Sequence, residues 1–213
     1  MFKDKKIEMI EAGKSLDRYG LIALSGGNIT YRAKTGEILM TPSGMVYEDL
    51  IPEDIVVMNL DGEIIEGDRR PSVDNEAIRY IFKEKPELNA IIHTHQPYAT
   101  GIGLVIDEIP CNLTTLANAT KGPVKVASYS SAASIEMGIQ TVENLDNKLA
   151  VVLKHHGVIA VGDSIKEALY AAIYLEEAAK TLLVAGSYNN NNMAELNQKQ
   201  IDDAVAVFED YGQ

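Results

Sequence analysis

All four histidines of this chain follow two strongly apolar runs. His93-Thr94-His95 ends the run Ala90-Ile91-Ile92, and His155-His156 follows Leu149 to Leu153 and stands directly before Gly157. Both runs read as buried strands. Residues two apart on a strand share a face, so His93 and His95 point the same way and can reach one ion together. Imidazole suits zinc and its neighbours, and a catalytic zinc takes three protein ligands while keeping one position open. The third ligand comes from His155 or His156. Adjacent strand residues face opposite sides, so one of the two joins and the other turns away. A chance cluster of core and surface histidines is the alternative, and the placement of every histidine at two strand ends weighs against it. The fold must therefore bring two distant strand ends to one place.

Charge narrows what else the chain can bind. With 31 acidic against 19 basic residues and a formal net charge of −12, it has no general attraction for nucleic acid or for anionic membranes, so any phosphate must be caught locally. At 213 residues, 46% of them hydrophobic, one sizeable core suffices, and residues 1–213 read as a single domain. Cys111 is the sole cysteine, which excludes an intrachain disulfide, fits a reducing compartment and reads as a core residue. No signal-type segment or bilayer-length apolar run is visible, and a cytoplasmic location is expected.

Along the chain, Lys5 to Tyr19 reads as an amphipathic helix with Gly20 as its cap. Short strands follow at Leu21 to Leu24, Ile29 to Arg32, Glu37 to Met40, Val56 to Leu60 and Glu63 to Ile65, with Asp61-Gly62 as a hairpin turn. Helices are expected at Asp74 to Phe82, Tyr98 to Val105, Ala133 to Glu143, from an Asp163 or Ser164 cap to about Val184, and at Ala194 to Phe208; further strands fall at Ala90 to His93, Val124 to Ala127 and Leu149 to Leu153. Asn189 to Asn192 reads as a loop. Helices and strands interleave without a strict β-α-β rhythm. An α/β fold with a mixed or largely antiparallel sheet and helices on its faces is the expectation.

Two turns carry anion-binding chemistry: Ser25-Gly26-Gly27-Asn28 and Thr41-Pro42-Ser43-Gly44. Glycine lets backbone N–H groups approach an anion, and Ser, Thr and Asn add donors, although the same residues also make ordinary turns. Pro71-Ser72-Val73-Asp74 precedes a helix, where Ser72 or Asp74 can cap it and the first-turn N–H groups can receive a phosphate at Ser72. Asp74 can also serve a nearby metal site as ligand or proton acceptor, whereas Glu76 reads as helix surface.

Ser-Gly-Gly-Asn-Ile-Thr at 25–30, Thr-Pro-Ser-Gly at 41–44, Pro-Ser-Val-Asp at 71–74, His-Thr-His at 93–95 and His-His-Gly at 155–157, in that order, resemble the class II aldolase/adducin family, specifically its fuculose-phosphate aldolase and ribulose-phosphate 4-epimerase branch. The resemblance covers nearly the whole chain. It implies a three-layer fold around a mostly antiparallel sheet and a homotetramer with sites between subunits. It also implies one Zn2+ per subunit, with Mn2+ or Co2+ as substitutes, on His93, His95 and His156. The phosphate of a sugar substrate is then expected at Gly27, Asn28, Ser43, Gly44 and Ser72, with Asp74 and Tyr211 as catalytic groups.

The expected reaction is retro-aldol cleavage of a ketose 1-phosphate such as L-fuculose 1-phosphate to dihydroxyacetone phosphate and an aldehyde. Three positions depart from the aldolase pattern. Ser72-Val73-Asp74 replaces Ser-Ser-Glu, and the epimerases carry aspartate there. Thr114 replaces a tyrosine and so resembles the epimerase, yet Asn118 stands where the epimerase has its catalytic aspartate. Epimerisation is the runner-up, dehydration of a thiosugar phosphate a third reaction with the same metal logic. A metal-free interaction module like the adducin head is the reading of another class; it predicts lost histidines, and all are present.

Overall fold

Met9, Ile10, Ala12 and Leu16 form a buried stripe along the first helix, α1 (Lys3–Arg18). Its end is closed by two backbone bonds of 2.9 Å, Gly20 N–H to the Asp17 carbonyl and Leu21 N–H to that of Leu16, as the position of Gly20 predicts. This is a computed structural model, and it describes residues 2–189 and 193–209.

The described residues hold nine strands, β1 (Asn28–Arg32), β2 (Ile38–Met40), β3 (Val56–Met58), β4 (Ile64–Glu66), β5 (Ala90–Thr94), β6 (Glu108–Ile109), β7 (Val124–Ala127), β8 (Ala150–Leu153) and β9 (Gly157–Gly162). Six further helices complete them: α2 (Asn75–Glu84), α3 (Pro97–Ile102), α4 (Thr114–Thr120), α5 (Ile135–Leu145), α6 (Ile165–Asn189) and α7 (Gln198–Glu209). The strands form one sheet in the order β4-β3-β2-β1-β5-β9-β8-β7-β6. Only β7 and β8 pair in parallel.

β5 lies in the middle of the sheet and is buried on both faces. Alternation sends Ile92 into a core shared with α1 and α6, and Ile91 into one shared with α2 and α5. Val126, Val152 and Val158 extend the first layer with α4, α6 and α7. Helices thus cover both faces of a mostly antiparallel sheet, as expected. Asp61-Gly62 does turn the β3–β4 hairpin, with Gly62 N–H on the Asn59 carbonyl. Ser164 caps α6 through the Glu167 N–H, and Cys111 is buried. No described helix is long and apolar enough to cross a membrane.

Several expectations need correction. Leu21 to Leu24 is not a strand: Leu21 and Ile22 are buried, but Leu24 takes a φ of +56° and points to solvent, which breaks the extended run. β9 is not among the expected strands; a strand buried on both faces shows no polar alternation to betray it. α4 is too short for its periodicity to register, and β6 spans only Glu108–Ile109. The helices expected from Ala133 and Ala194 begin at Ile135 and Gln198, and the one expected at 98–105 is Pro97–Ile102. α6 runs on to Asn189, and residues 190–192 of the expected loop lie outside the described residues, as does Tyr211.

Candidate metal centre

Three central strands meet at the histidines. In the registers of β5 with its neighbours, Asn28 of β1 lies opposite His93 on one side and Ile159 of β9 on the other. His95 stands one residue beyond β5, its N–H on the Leu21 carbonyl at 3.1 Å. β8 and β9 form a tight hairpin, Leu153 opposite Gly157, and the histidine pair sits in its turn rather than on a strand. His155 takes a left-handed φ of +64° and is exposed, its ring 6.2 Å from that of Tyr129. His156 turns inward. Ring centroids lie 4.8 Å apart for His93 and His95, 4.7 Å for His93 and His156, and 5.4 Å for His95 and His156. One nitrogen from each ring can be chosen so that all lie within 4.8 Å of one another.

Glycines permit this approach. A Cβ on Gly157 would sit 2.1 Å from the Thr94 carbonyl oxygen and 3.2 Å from both the His93 and His95 rings. A Cβ on Gly27, whose φ is +74°, would sit 2.4 Å from the His93 carbonyl oxygen. The backbones on either side of β5 therefore press directly on the cluster, and the His-His-Gly order has a steric reason.

The chemistry of the donors fits a cation. His93 Nδ1 lies 2.9 Å from the Val158 carbonyl, which can only accept, so Nδ1 carries the proton and Nε2 presents a lone pair. That Nε2 is 3.1 Å from His95 Nε2. His156 Nδ1 is buried without a hydrogen-bond partner among the described residues. Burial pushes the His93 imidazolium down to about 3, with repulsion from His156 and His95 adding to it and the Val158 bond opposing. His95 and His156 are also lowered by burial, and the Asp74 carboxylate partly offsets both shifts. Neutral imidazoles are the form that binds a metal.

A pH dependence follows. His93 binds a proton in the unfolded chain below its ordinary value of 6.5 but resists it in the fold down to about 3, so the unfolded state holds more protons in that window. The metal-free protein is expected to lose stability as pH falls from 6.5 towards 3. Urea unfolding at stepped pH checks this, and His93→Gln should flatten the slope.

Behind the histidines lies a polar cluster. The Asn28 amide donates to Ser72 Oγ at 3.0 Å and to Asp74 Oδ2 at 2.8 Å, and all three side chains are buried. Asp74 does not cap α2 with its side chain. Its other oxygen accepts the Ala133 N–H at 3.3 Å. Asn28 Oδ1 is buried and has no hydrogen-bond partner among the described residues. The Ser43-Gly44 turn is tied to the same region, Ser43 N–H on the Arg70 carbonyl and Ser72 N–H on that of Thr41. Glu76 is exposed, as read from the sequence. Sequence reasoning missed the segment Tyr129 to Ala133, which reaches both His155 and Asp74; it carries no motif, and Ala133 counts there only as the start of an expected helix. Thr114 and Asn118 lie on α4, packed against α6 and α7.

A mostly antiparallel nine-stranded sheet with helices on both faces and converging histidines defines a class II aldolase-type α/β protein. The model of the Class II Aldolase and Adducin N-terminal domain matches residues 7–183, and the chain belongs to that family. It is 32% identical over 215 residues to a 5-deoxy-D-ribulose 1-phosphate aldolase of Bacillus thuringiensis serovar kurstaki, covering 100% of this chain and 99% of that one. A 5-methylthioribulose-1-phosphate/5-deoxyribulose-1-phosphate aldolase of Rhodospirillum rubrum is 32% identical over 172 residues, 81% of this chain and 77% of its own. Among solved structures, an L-fuculose 1-phosphate aldolase superposes with a TM-score of 0.90 at 26% identity, covering 97% of this chain and 96% of the other.

Proposed function

We propose that this chain is a metal-dependent aldolase that cleaves a ketose 1-phosphate with a deoxy or otherwise apolar far end, releasing dihydroxyacetone phosphate and an aldehyde. The observation that carries the reading is the convergence of His93, His95 and His156 within 4.8 Å. The names of the relatives narrow the substrate: two act on 5-deoxy or 5-methylthio ketose 1-phosphates. Leu24, Val73 and Tyr129, apolar and exposed beside the Gly26-Gly27 turn, Ser72-Asp74 and His155 respectively, suit an apolar chain end.

His93, His95 and His156 would hold a zinc ion, or manganese or cobalt in its place, and the bound ion would supply Lewis-acid stabilisation of the charge that develops as the carbon–carbon bond breaks. Gly27, Asn28, Ser43, Gly44 and Ser72 take the phosphate through backbone N–H and side-chain donors, which a net charge of −12 makes necessary. Anchoring there aligns the reacting bond. Asp74, oriented by the Asn28 amide and the Ala133 N–H, accepts the substrate hydroxyl proton as that hydroxyl becomes the aldehyde, and returns a proton to the carbon freed by the cleavage, which completes dihydroxyacetone phosphate and restores the carboxylate. Tyr211 donates a proton to the aldehyde oxygen in the reverse, condensing direction; this role rests on the family resemblance.

Asp74→Asn and Tyr211→Phe are each expected to lower kcat by about 10²–10⁴-fold, the usual worth of a positioned acid or base, with zinc content unchanged. Stopped assays on metal-replete protein check both, and wild-type turnover in either variant removes that residue from the mechanism. Asp74, matching the epimerase in place of the aldolase glutamate, supports a second reading of the site as an epimerase.

Incubating zinc-loaded protein separately with 5-deoxyribulose 1-phosphate, L-fuculose 1-phosphate and L-ribulose 5-phosphate decides between them. Dihydroxyacetone phosphate from a ketose 1-phosphate, lost on chelation and restored by zinc, is the expected result. Xylulose 5-phosphate from the third would favour epimerisation, and no product from any would overturn the proposal.

A further inference from the structure

Glu176 is a carboxylate of α6 with 1% of its surface exposed. Burying a carboxylate is costly unless its oxygens are satisfied, and here both accept from backbone: Oε1 from the Tyr98 N–H at 2.9 Å and Oε2 from the Ala99 N–H at 3.0 Å. Those are first-turn amides of α3, which starts two residues after His95. An ordinary cap would come from the residue at the head of the same helix. Gln96 holds that position and makes no side-chain cap bond. The cap is supplied instead by a different helix, so it ties α3 to α6.

Gln96 makes a second tie. It is fully buried, donates to the Ala172 carbonyl at 3.3 Å and accepts from Thr94 Oγ1 at 2.7 Å. Ala172 and Glu176 are four residues apart on α6 and so lie on one face of it. The chain on both sides of His95 is therefore fastened, at Thr94-Gln96 and at Tyr98-Ala99. His95 is the most exposed of the three histidines, and the side-chain hydrogen-bond contact it makes is to His93. Its place is set through the backbone.

From this we infer that Glu176 is a positioning residue for the metal centre: it clamps the first turn of α3 to α6 and thereby holds His95 where the other two imidazoles converge. The inference rests on the metal reading above. Nothing in the motifs pointed to it, because Glu176 stands 78 and 77 residues after the two amides it fastens.

Zinc affinity, measured by chelator competition below every variant's melting temperature, tests it separately from turnover. Glu176→Ala removes both acceptors and is expected to weaken zinc binding by about 10–100-fold, the range seen when supports of metal ligands are lost. Glu176→Gln keeps one acceptor and should fall between Ala and wild type. Val57→Ala, in a strand three places from β5, is the control for lost stability alone and should bind zinc as wild type does. Should Glu176→Ala fail to fold, the comparison of Glu176→Gln with Val57→Ala carries the test. Wild-type affinity in the folded Glu176 variant overturns the clamp while leaving the metal reading intact. A wild-type protein that binds no zinc overturns both.

Discussion

Replacing His156 with alanine is expected to abolish tight zinc binding and to lower aldol cleavage by roughly 10³-fold or more, since several kcal/mol of Lewis-acid stabilisation at a tenfold rate per 1.4 kcal/mol is at stake. His156 is only half-buried and lies in the β8–β9 turn. Its Nδ1 has no hydrogen-bond partner among the described residues, so truncation strands none of their buried groups. The fold should therefore survive, with the unfolding free energy of the metal-free protein within about 1 kcal/mol of wild type. His155→Ala is the matching control: the ring is exposed and turned towards Tyr129, and both zinc affinity and turnover should stay near wild type. Equal losses in the two variants would refute the assignment of His156 over its neighbour.

Gly157→Ala tests the steric half of the site. Its new methyl group would start 2.1 Å from the Thr94 carbonyl oxygen, far inside the 3.0 Å that real Cβ atoms respect, so β9 must retreat from β5. That retreat opens the pairing of Thr94 with Val158, next to the Val158 carbonyl that holds His93 in its tautomer. The expected cost is about 1–3 kcal/mol of stability, as for overpacked cores, together with a loss of zinc affinity beyond tenfold. Gly20→Ala separates the two effects. Among the described residues, none but its chain neighbours comes within 4 Å of an added Cβ, but its φ is +71°, so it should cost about 1–2 kcal/mol of backbone strain and leave zinc binding untouched. Urea denaturation and chelator competition on both variants provide the comparison. Unchanged zinc affinity in Gly157→Ala would show that the close approach is not needed.

Legibility from sequence differed by element. α1 and its cap, the β3–β4 hairpin and the buried strand β5 each have a local signature, and each is present. β9 has none: Gly157-Val158-Ile159-Ala160-Val161-Gly162 is apolar throughout, and its identity as the strand between β5 and β8 depends on partners it finds only in the fold. The segment Leu21 to Leu24 failed in the opposite way. Its apolar character came from packing against the core, not from pairing, and a left-handed Leu24 ends it. Glu176 and Ala133 could not be found from motifs because each acts on a distant segment, Glu176 by accepting the Tyr98 and Ala99 N–H groups and Ala133 by donating its own N–H to Asp74.

Composition and spacing by themselves determined the donor types: imidazoles two apart on a strand, glycine-rich turns able to meet an anion, one lone thiol, and a chain too acidic to attract phosphate at large. Only the tertiary structure decided which donors meet. Strand alternation left His155 and His156 equivalent, and the family resemblance favoured the second; the turn places them, sending His155 out at a φ of +64° and His156 in. Asn28, Ser72 and Asp74 likewise come together across 44 and 46 residues of chain. The physical reason is common to both: residue chemistry and local periodicity are properties of neighbours in sequence, whereas the distance between two rings is set by sheet register and by close backbone contacts, which exist only once the strands have paired.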